Sequence, residues 1–179
     1  SFKEKGMEYN GSMLVYSRYL NNNYMTPKLR EQAGAYGGGA SFSQNGLFRM
    51  STYRDPNLSK SFDIFAKAVN FMENEELTEE KLKPAILGSL KPYYRDKSIY
   101  GKTNTMTWLY LTDQTWADYM QTKKEILSTK PEHIKKINDV LKKKFLHDGN
   151  RDVGIGQLVS HIVKIVEQNF DFDDFVNEN

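Results

Sequence analysis

Gly34, Gly37, Gly38 and Gly39 fall where a helical pattern gives way to a strand pattern, and that placement constrains the fold more than any other feature of the chain. Glycine has no side chain to pack and weakens a strand, so a cluster of it implies a backbone that something else approaches closely. The surrounding stretch, Leu29 to Pro56, also holds Arg30, Arg49 and Arg54, together with Tyr36 and Tyr53. Ser43-Gln44-Asn45-Gly46 is a turn signal, and it divides two strand patterns, Ala35 to Phe42 and Leu47 to Tyr53. In the second, Phe48, Met50 and Thr52 alternate with Leu47, Arg49, Ser51 and Tyr53.

Helical patterns lie on both sides of this hairpin. Met13, Tyr16, Leu20 and Tyr24 share one helical face, with Ser12 as the expected N-cap. Pro27 marks a kink or a restart, and the helix resumes through Arg30 to end near Gly34. Leu58, Phe62, Phe65 and Val69 predict an amphipathic helix after Asp55-Pro56-Asn57. Another is predicted after Thr78, where Pro84 implies a kink or a late start. Lys91 to Gly101 reads as a loop, followed by two helices broken near Thr112 and Asp113. Thr129-Lys130-Pro131-Glu132 has the form of a capping box, and Ile134, Ile137, Leu141 and Phe145 give the next helix its buried stripe. Val153 to Ile165 reads as strand, helix or one of each. The predicted class is α+β, with helices packed on one face of a largely antiparallel sheet. The other face is left to solvent or another domain. Residues 1–179 read as a single domain, with 166–179 a peripheral acidic tail.

Bulk properties narrow the function. A chain of 179 residues, 39% hydrophobic, can bury one core. Its net charge of +2 gives no electrostatic case for a nucleic-acid or membrane partner. Charge is uneven: Gln121 to Leu146 carries net +5, and Val166 to Asn179 net −5. No stretch approaches the ~18 apolar residues of a membrane span. Without cysteine there is no disulfide, thiol nucleophile or cysteine metal site. The chain opens on Ser1 rather than Met, as a cut piece or a processed product would.

Complete catalytic sets are missing. His133, His147 and His161 stand fourteen residues apart and form no HExxH or HxxEH motif, so no metal site is expected here. No GxSxG elbow occurs. Gly34 to Gly39 lacks the spacing of a phosphate loop and leaves a helix to enter a strand, the reverse of that motif's order. What remains is Arg30 near a helix end and Tyr36 at a strand start. Arginine brings a fixed cation with several donors, suited to carbonyl oxygens, and tyrosine a phenol that can donate to a developing oxyanion. Two arrangements are open: the pair shares a cleft that grips a ligand, or Arg30 pairs with a surface acid while Tyr36 is core.

Leu20-Asn21-Asn22, Leu29-Arg30, Gly34-Ala35-Tyr36-Gly37-Gly38 and Ser51 to Leu58 together resemble the C-terminal part of the presequence protease branch of the pitrilysin/insulin-degrading-enzyme superfamily, which includes falcilysin. The resemblance covers about Gly11 to Leu146. It implies a clamshell peptidase whose N-terminal half holds zinc through an HxxEH motif and a further Glu. The C-terminal half would supply Arg30 to hold a backbone carbonyl of the peptide and Tyr36 to stabilise the tetrahedral intermediate. Gly37 and Gly38 would let the peptide lie close. The partners implied are the N-terminal half and unstructured peptides, such as cleaved targeting peptides. The chain alone, lacking the zinc motif, is expected to be inactive. The location implied is a mitochondrial or plastid-type organelle, or the bacterial cytoplasm. A non-catalytic subunit of the same superfamily and a stand-alone peptide-binding module are the alternatives. Tyr53 and Arg54 belong to the matching motif, and the expected role for them is a contact between strand end and following helix.

Overall fold

The computed structural model describes residues 1–94 and 98–147. The strand or helix expected at Val153 to Ile165 and the acidic tail 166–179 lie outside the described residues. The architecture is α+β: a two-stranded antiparallel sheet set against mostly helical structure.

Helix α1 (Ser12–Leu20) is central. Met13, Tyr16, Leu20 and Tyr24 are all buried, as their spacing predicts. Its N-cap is Gly11 rather than Ser12. The Gly11 N–H donates to Glu125 Oε2 at 2.7 Å, so a carboxylate from a distant helix satisfies one orphan donor. Beyond Leu20 the helix does not stop but widens into π-type turns at Asn21–Met25 and Pro27–Gln32. Pro27 is the first residue of the second of these, inside the continuous helical run. Arg30 rides on this widened segment.

The hairpin follows as β1 (Gly37–Phe42) and β2 (Phe48–Tyr53), in register from Gly37 opposite Tyr53 to Phe42 opposite Phe48. Phe42 and Phe48 face inward and meet the Tyr16 ring edge-on at 5.7 and 6.4 Å. Edge-on rings of this kind add to what their buried area alone supplies.

Helix α2 (Leu58–Asn74) is capped by Asn57, whose side chain accepts from Lys60 N. Its buried set is Ser61, Ile64, Ala68, Val69 and Met72. The stripe is therefore rotated from the expected one: Leu58 is exposed, and Phe62 and Phe65 pair on the flank with rings 6.0 Å apart. The small residues Ser61 and Ala68 allow the closer approach to the core.

Helix α3 (Glu79–Tyr94) starts directly after Thr78, whose hydroxyl accepts from Lys81 N. Pro84 neither delays nor ends it. Pro84 is solvent-exposed, so the carbonyl it leaves unpaired lies on the side open to water. The helix also runs through Pro92, which shortens the expected loop, and α4 (Ile99–Leu111) begins at a Ser98 cap. Ile99, Tyr100, Tyr110 and Leu111 of α4 are exposed, and Leu109 is its one buried residue. The predicted break holds: α5 (Trp116–Leu127) starts from a Thr115–Asp118 capping box.

Helix α6 (Pro131–His147) buries Ile134, Ile137 and Leu141 as predicted; the Phe145 side chain, the fourth of the predicted stripe, lies outside the described residues. Thr129 does not cap it. Its hydroxyl instead donates to Glu125 O at 2.9 Å and shares a hydroxyl–hydroxyl hydrogen bond with Ser12 Oγ at 3.1 Å, and the Lys130 N–H is met by His133 Nδ1 at 3.1 Å. No helix among the described residues is long and apolar enough to cross a membrane.

Candidate functional site

The step from Arg30 to Tyr36 is set by local geometry. Gly34 takes a left-handed φ of +80°, which ends the helix where most side chains would be strained. The Ala35 N–H then closes back on Leu29 O at 3.0 Å, with Leu29 and Ala35 both buried. One residue later the Tyr36 N–H reaches the far strand, donating to Tyr53 O at 3.1 Å and to Arg54 O at 3.3 Å. The chain direction reverses while both side chains stay on the outside.

Arg30 and Tyr36 line one concavity of about 510 Å³, together with Thr26, Glu31, Gly34 and Ala35. The second arrangement, an acid partner for Arg30 and a core Tyr36, is not present among the described residues. Tyr36 is 68% exposed, not core. Among the described residues, Arg30 has no ion pair or hydrogen bond and the Tyr36 hydroxyl has no hydrogen-bond partner. The cation and the phenol both face solvent. A second concavity, of about 490 Å³ and lined by Glu8, Glu125, His133 and Lys136 among others, is lined by neither residue.

The glycines divide by role. A Cβ on Gly38 would lie 2.7 Å from Ser51 O and 2.8 Å from Leu29 Cδ1, and one on Gly39 would lie 2.8 Å from Asn21 Oδ1. What approaches these two closely is the chain's own helix and partner strand. A Cβ on Gly37 would meet nothing within 4 Å, so of the three β1 glycines that position alone opens onto free space.

Asn21 is the residue that sequence reasoning passed over. Its Nδ2 donates to Ala40 O at 2.9 Å, and its Oδ1 accepts from Ala40 N at 2.6 Å. The side-chain amide thus pairs with the outer edge of β1 as a neighbouring strand would. It fixes the hairpin to the helix that carries Arg30. Leu20-Asn21-Asn22 was visible as part of the resemblance, but the pairing of Asn21 with β1 depends on the widened helix.

Behind the site, Asp55 Oδ1 accepts from Asn57 N at 2.8 Å. Burial pushes the Asp55 carboxyl up, but the Ser61 hydroxyl, the Asn57 N–H and the Thr52 hydroxyl outweigh it and hold the group below its usual range. Ser61 Oγ and Asp55 Oδ2 lack a partner of full hydrogen-bond geometry. The Asn57 N–H is the well-aligned contact, and it shapes the turn into α2. Lys60 Nζ, one turn on, donates to Gln32 O near Arg30.

Tyr53 and Arg54 do more than join strand to helix. The Tyr36 and Tyr53 rings meet edge-on at 6.0 Å, and the Arg54 guanidinium stands 5.9 Å from one ring centre and 5.4 Å from the other.

Residues 2–156 match the family model described as PreP C-terminal domain. The chain belongs to that family. Presequence protease 1, chloroplastic/mitochondrial, of Arabidopsis thaliana is 37% identical over 86 residues, which is 48% of this chain and 8% of that protein. The mitochondrial presequence protease of Mus musculus is 33% identical over 76 residues, 42% of this chain and 7% of that protein. Protein HypA of Clostridium perfringens is 25% identical over 150 residues, 82% of this chain and 15% of that protein. The chain therefore spans a small part of the length of these relatives. As a PreP C-terminal domain it is part of a peptidase family. Among the described residues, no three His, Cys, Asp or Glu side chains gather to hold a metal ion. The resemblance places the zinc in the N-terminal half, outside this chain.

Proposed function

We propose that this chain is the substrate-gripping C-terminal domain of a zinc-dependent oligopeptidase that degrades unfolded peptides inside an enclosed chamber. The observation that carries this reading is the shared concavity in which Arg30 and Tyr36 both stand exposed, with no competing polar partner among the described residues. Zinc and the attacking water belong, in this reading, to the N-terminal half of the same peptidase. This chain's own contribution is positional and electrostatic. Arg30 holds a backbone carbonyl of the bound peptide through its guanidinium N–H groups. The Tyr36 phenol donates to the scissile oxygen as negative charge develops on it. Gly37 leaves room for the peptide backbone beside the phenol; Gly38, on the adjoining backbone, keeps β1 close enough to Leu29 to hold that surface in place.

The substrates proposed are unstructured peptides of the cleaved targeting-peptide type, as the names of the relatives suggest. The proposed location is an organelle of the mitochondrial or plastid type, the compartments those names carry. The test is turnover of an unstructured peptide by the full-length protein carrying Arg30→Ala or Tyr36→Phe. Sharp losses with an unchanged thermal midpoint are expected. Near-wild-type rates in both would contradict the roles and favour a non-catalytic subunit.

A further inference from the structure

Tyr36 poses a physical problem for its proposed role. A side chain 68% exposed, whose hydroxyl has no partner among the described residues, is free to leave the orientation that faces the concavity. A transition-state donor must be held to within about 0.5 Å. Two neighbours limit the ring. Tyr53 meets it edge-on, with an interplanar angle of 77°. The Arg54 guanidinium lies within cation–π range of both rings at once.

Arg54 is built for that position. Its φ is +49°, the left-handed region that a non-glycine residue rarely adopts. The same backbone turn sends the Tyr53 and Arg54 carbonyls to the single Tyr36 N–H. The adjoining carboxylate forms no ion pair with it; Asp55 Oδ1 accepts instead from Asn57 N at the start of α2. Among the described residues Arg54 has no acidic partner, and its guanidinium lies within reach of both aromatic rings.

We propose that Arg54 is a positioning residue for Tyr36: together with Tyr53 it locks the phenol in the orientation that faces the Arg30 concavity. This rests on the role proposed for Tyr36. Arg54 acts through the tyrosine and does not touch substrate.

The test is a double-mutant cycle in the full-length peptidase, read as kcat and KM on an unstructured peptide. Arg54→Met keeps stem length and removes the cation. It is expected to lower kcat roughly tenfold with KM within about twofold, because a misplaced group loses rate more than binding. Arg54→Lys, which keeps a cation, should recover part of that loss. Tyr53→Ala, which removes the second ring, should reproduce it. In a Tyr36→Phe background, Arg54→Met should cost nothing further, since the phenol it positions is gone. If Tyr36→Phe is slow but Arg54→Met turns over normally, the proposal is overturned and the role of Tyr36 stands. Losses that multiply in the double variant, or a raised KM at unchanged kcat, would mean that Arg54 acts independently of Tyr36, and would overturn it too. A Tyr36→Phe enzyme at wild-type rate would overturn the reading of Tyr36 and this proposal with it. If Arg54→Met lowers the thermal midpoint, Arg54→Lys and Tyr53→Ala carry the same comparison.

Discussion

The Tyr16 hydroxyl donates to Asn138 Oδ1 at 2.7 Å in the buried core, joining residues 122 positions apart in sequence. Asn138 Nδ2 in turn donates to Val69 O at 3.2 Å, so one amide ties α1, α2 and α6 together. Asn138 is 3% exposed and Tyr16 fully buried. A buried polar group left without its partner costs more than the bond itself contributes. Tyr16→Phe is expected to destabilise the chain by about 1–3 kcal/mol, and Asn138→Ala by at least as much. Denaturant unfolding of each variant checks this; a loss below about 0.5 kcal/mol in both would contradict the bridge.

The glycines of β1 give a graded prediction. Gly37→Ala should change stability by no more than about 0.5 kcal/mol, because its Cβ enters open space. Gly38→Ala should cost about 1–3 kcal/mol, since its Cβ would crowd a backbone carbonyl and Leu29. Thermal midpoints should rank the two in that order.

Asn21→Ala removes both bonds to Ala40 and leaves a partly buried N–H and C=O unpaired. A loss of about 2–3 kcal/mol is expected. Asn21→Asp is expected to be destabilising as well, since a carboxylate accepts from Ala40 N but cannot donate to Ala40 O. Hydrogen exchange at the Ala40 amide would report the opening directly.

Asp113 has a φ of +51° in the short link after α4. Glycine is favoured there, and Asp113→Gly is expected to stabilise the chain by about 0.5–1 kcal/mol. An unchanged or lowered midpoint would contradict the assignment of strain.

The pH response follows from named groups. The Lys81 ammonium, which donates to Glu75 Oε1 at 2.8 Å, holds the Glu75 carboxyl below its ordinary value of 4.5. A lowered folded-state value contributes stability above the unfolded one and loses it as pH falls. The denaturant midpoint should therefore drop below about pH 4.5, and less steeply in Glu75→Gln. At the other end, burial first of all pushes Tyr9, Tyr19 and Tyr93 up to about 12. A raised value contributes stability below the ordinary value of 10, lost between pH 10 and about 12.

The hairpin was legible because its signals are local: the Asn45-Gly46 turn and the alternation of Phe48, Met50 and Thr52. So were the buried faces of α1 and α6, which follow a strong apolar period. The α2 stripe was misplaced because small residues, Ser61 and Ala68, carry no apolar signal yet sit closest to the core. Pro84 misled because its effect depends on which helix face meets water. Arg30 and Tyr36 stood out by residue type and spacing, while the reason for Gly38 and Gly39 did not. It lies in Leu29 and Asn21, brought against β1 by π-type turns that the apolar spacing of residues 21 to 32 does not signal.

The most direct measurement is steady-state hydrolysis of an unstructured peptide by the full-length peptidase carrying Tyr36→Phe. The substitution removes one oxygen and keeps the ring between Tyr53 and Arg54. If the phenol stabilises the developing oxyanion, kcat falls about 10²–10³-fold while KM stays within a few-fold. A kcat within threefold of wild type, in a protein of unchanged thermal midpoint, would contradict the assignment.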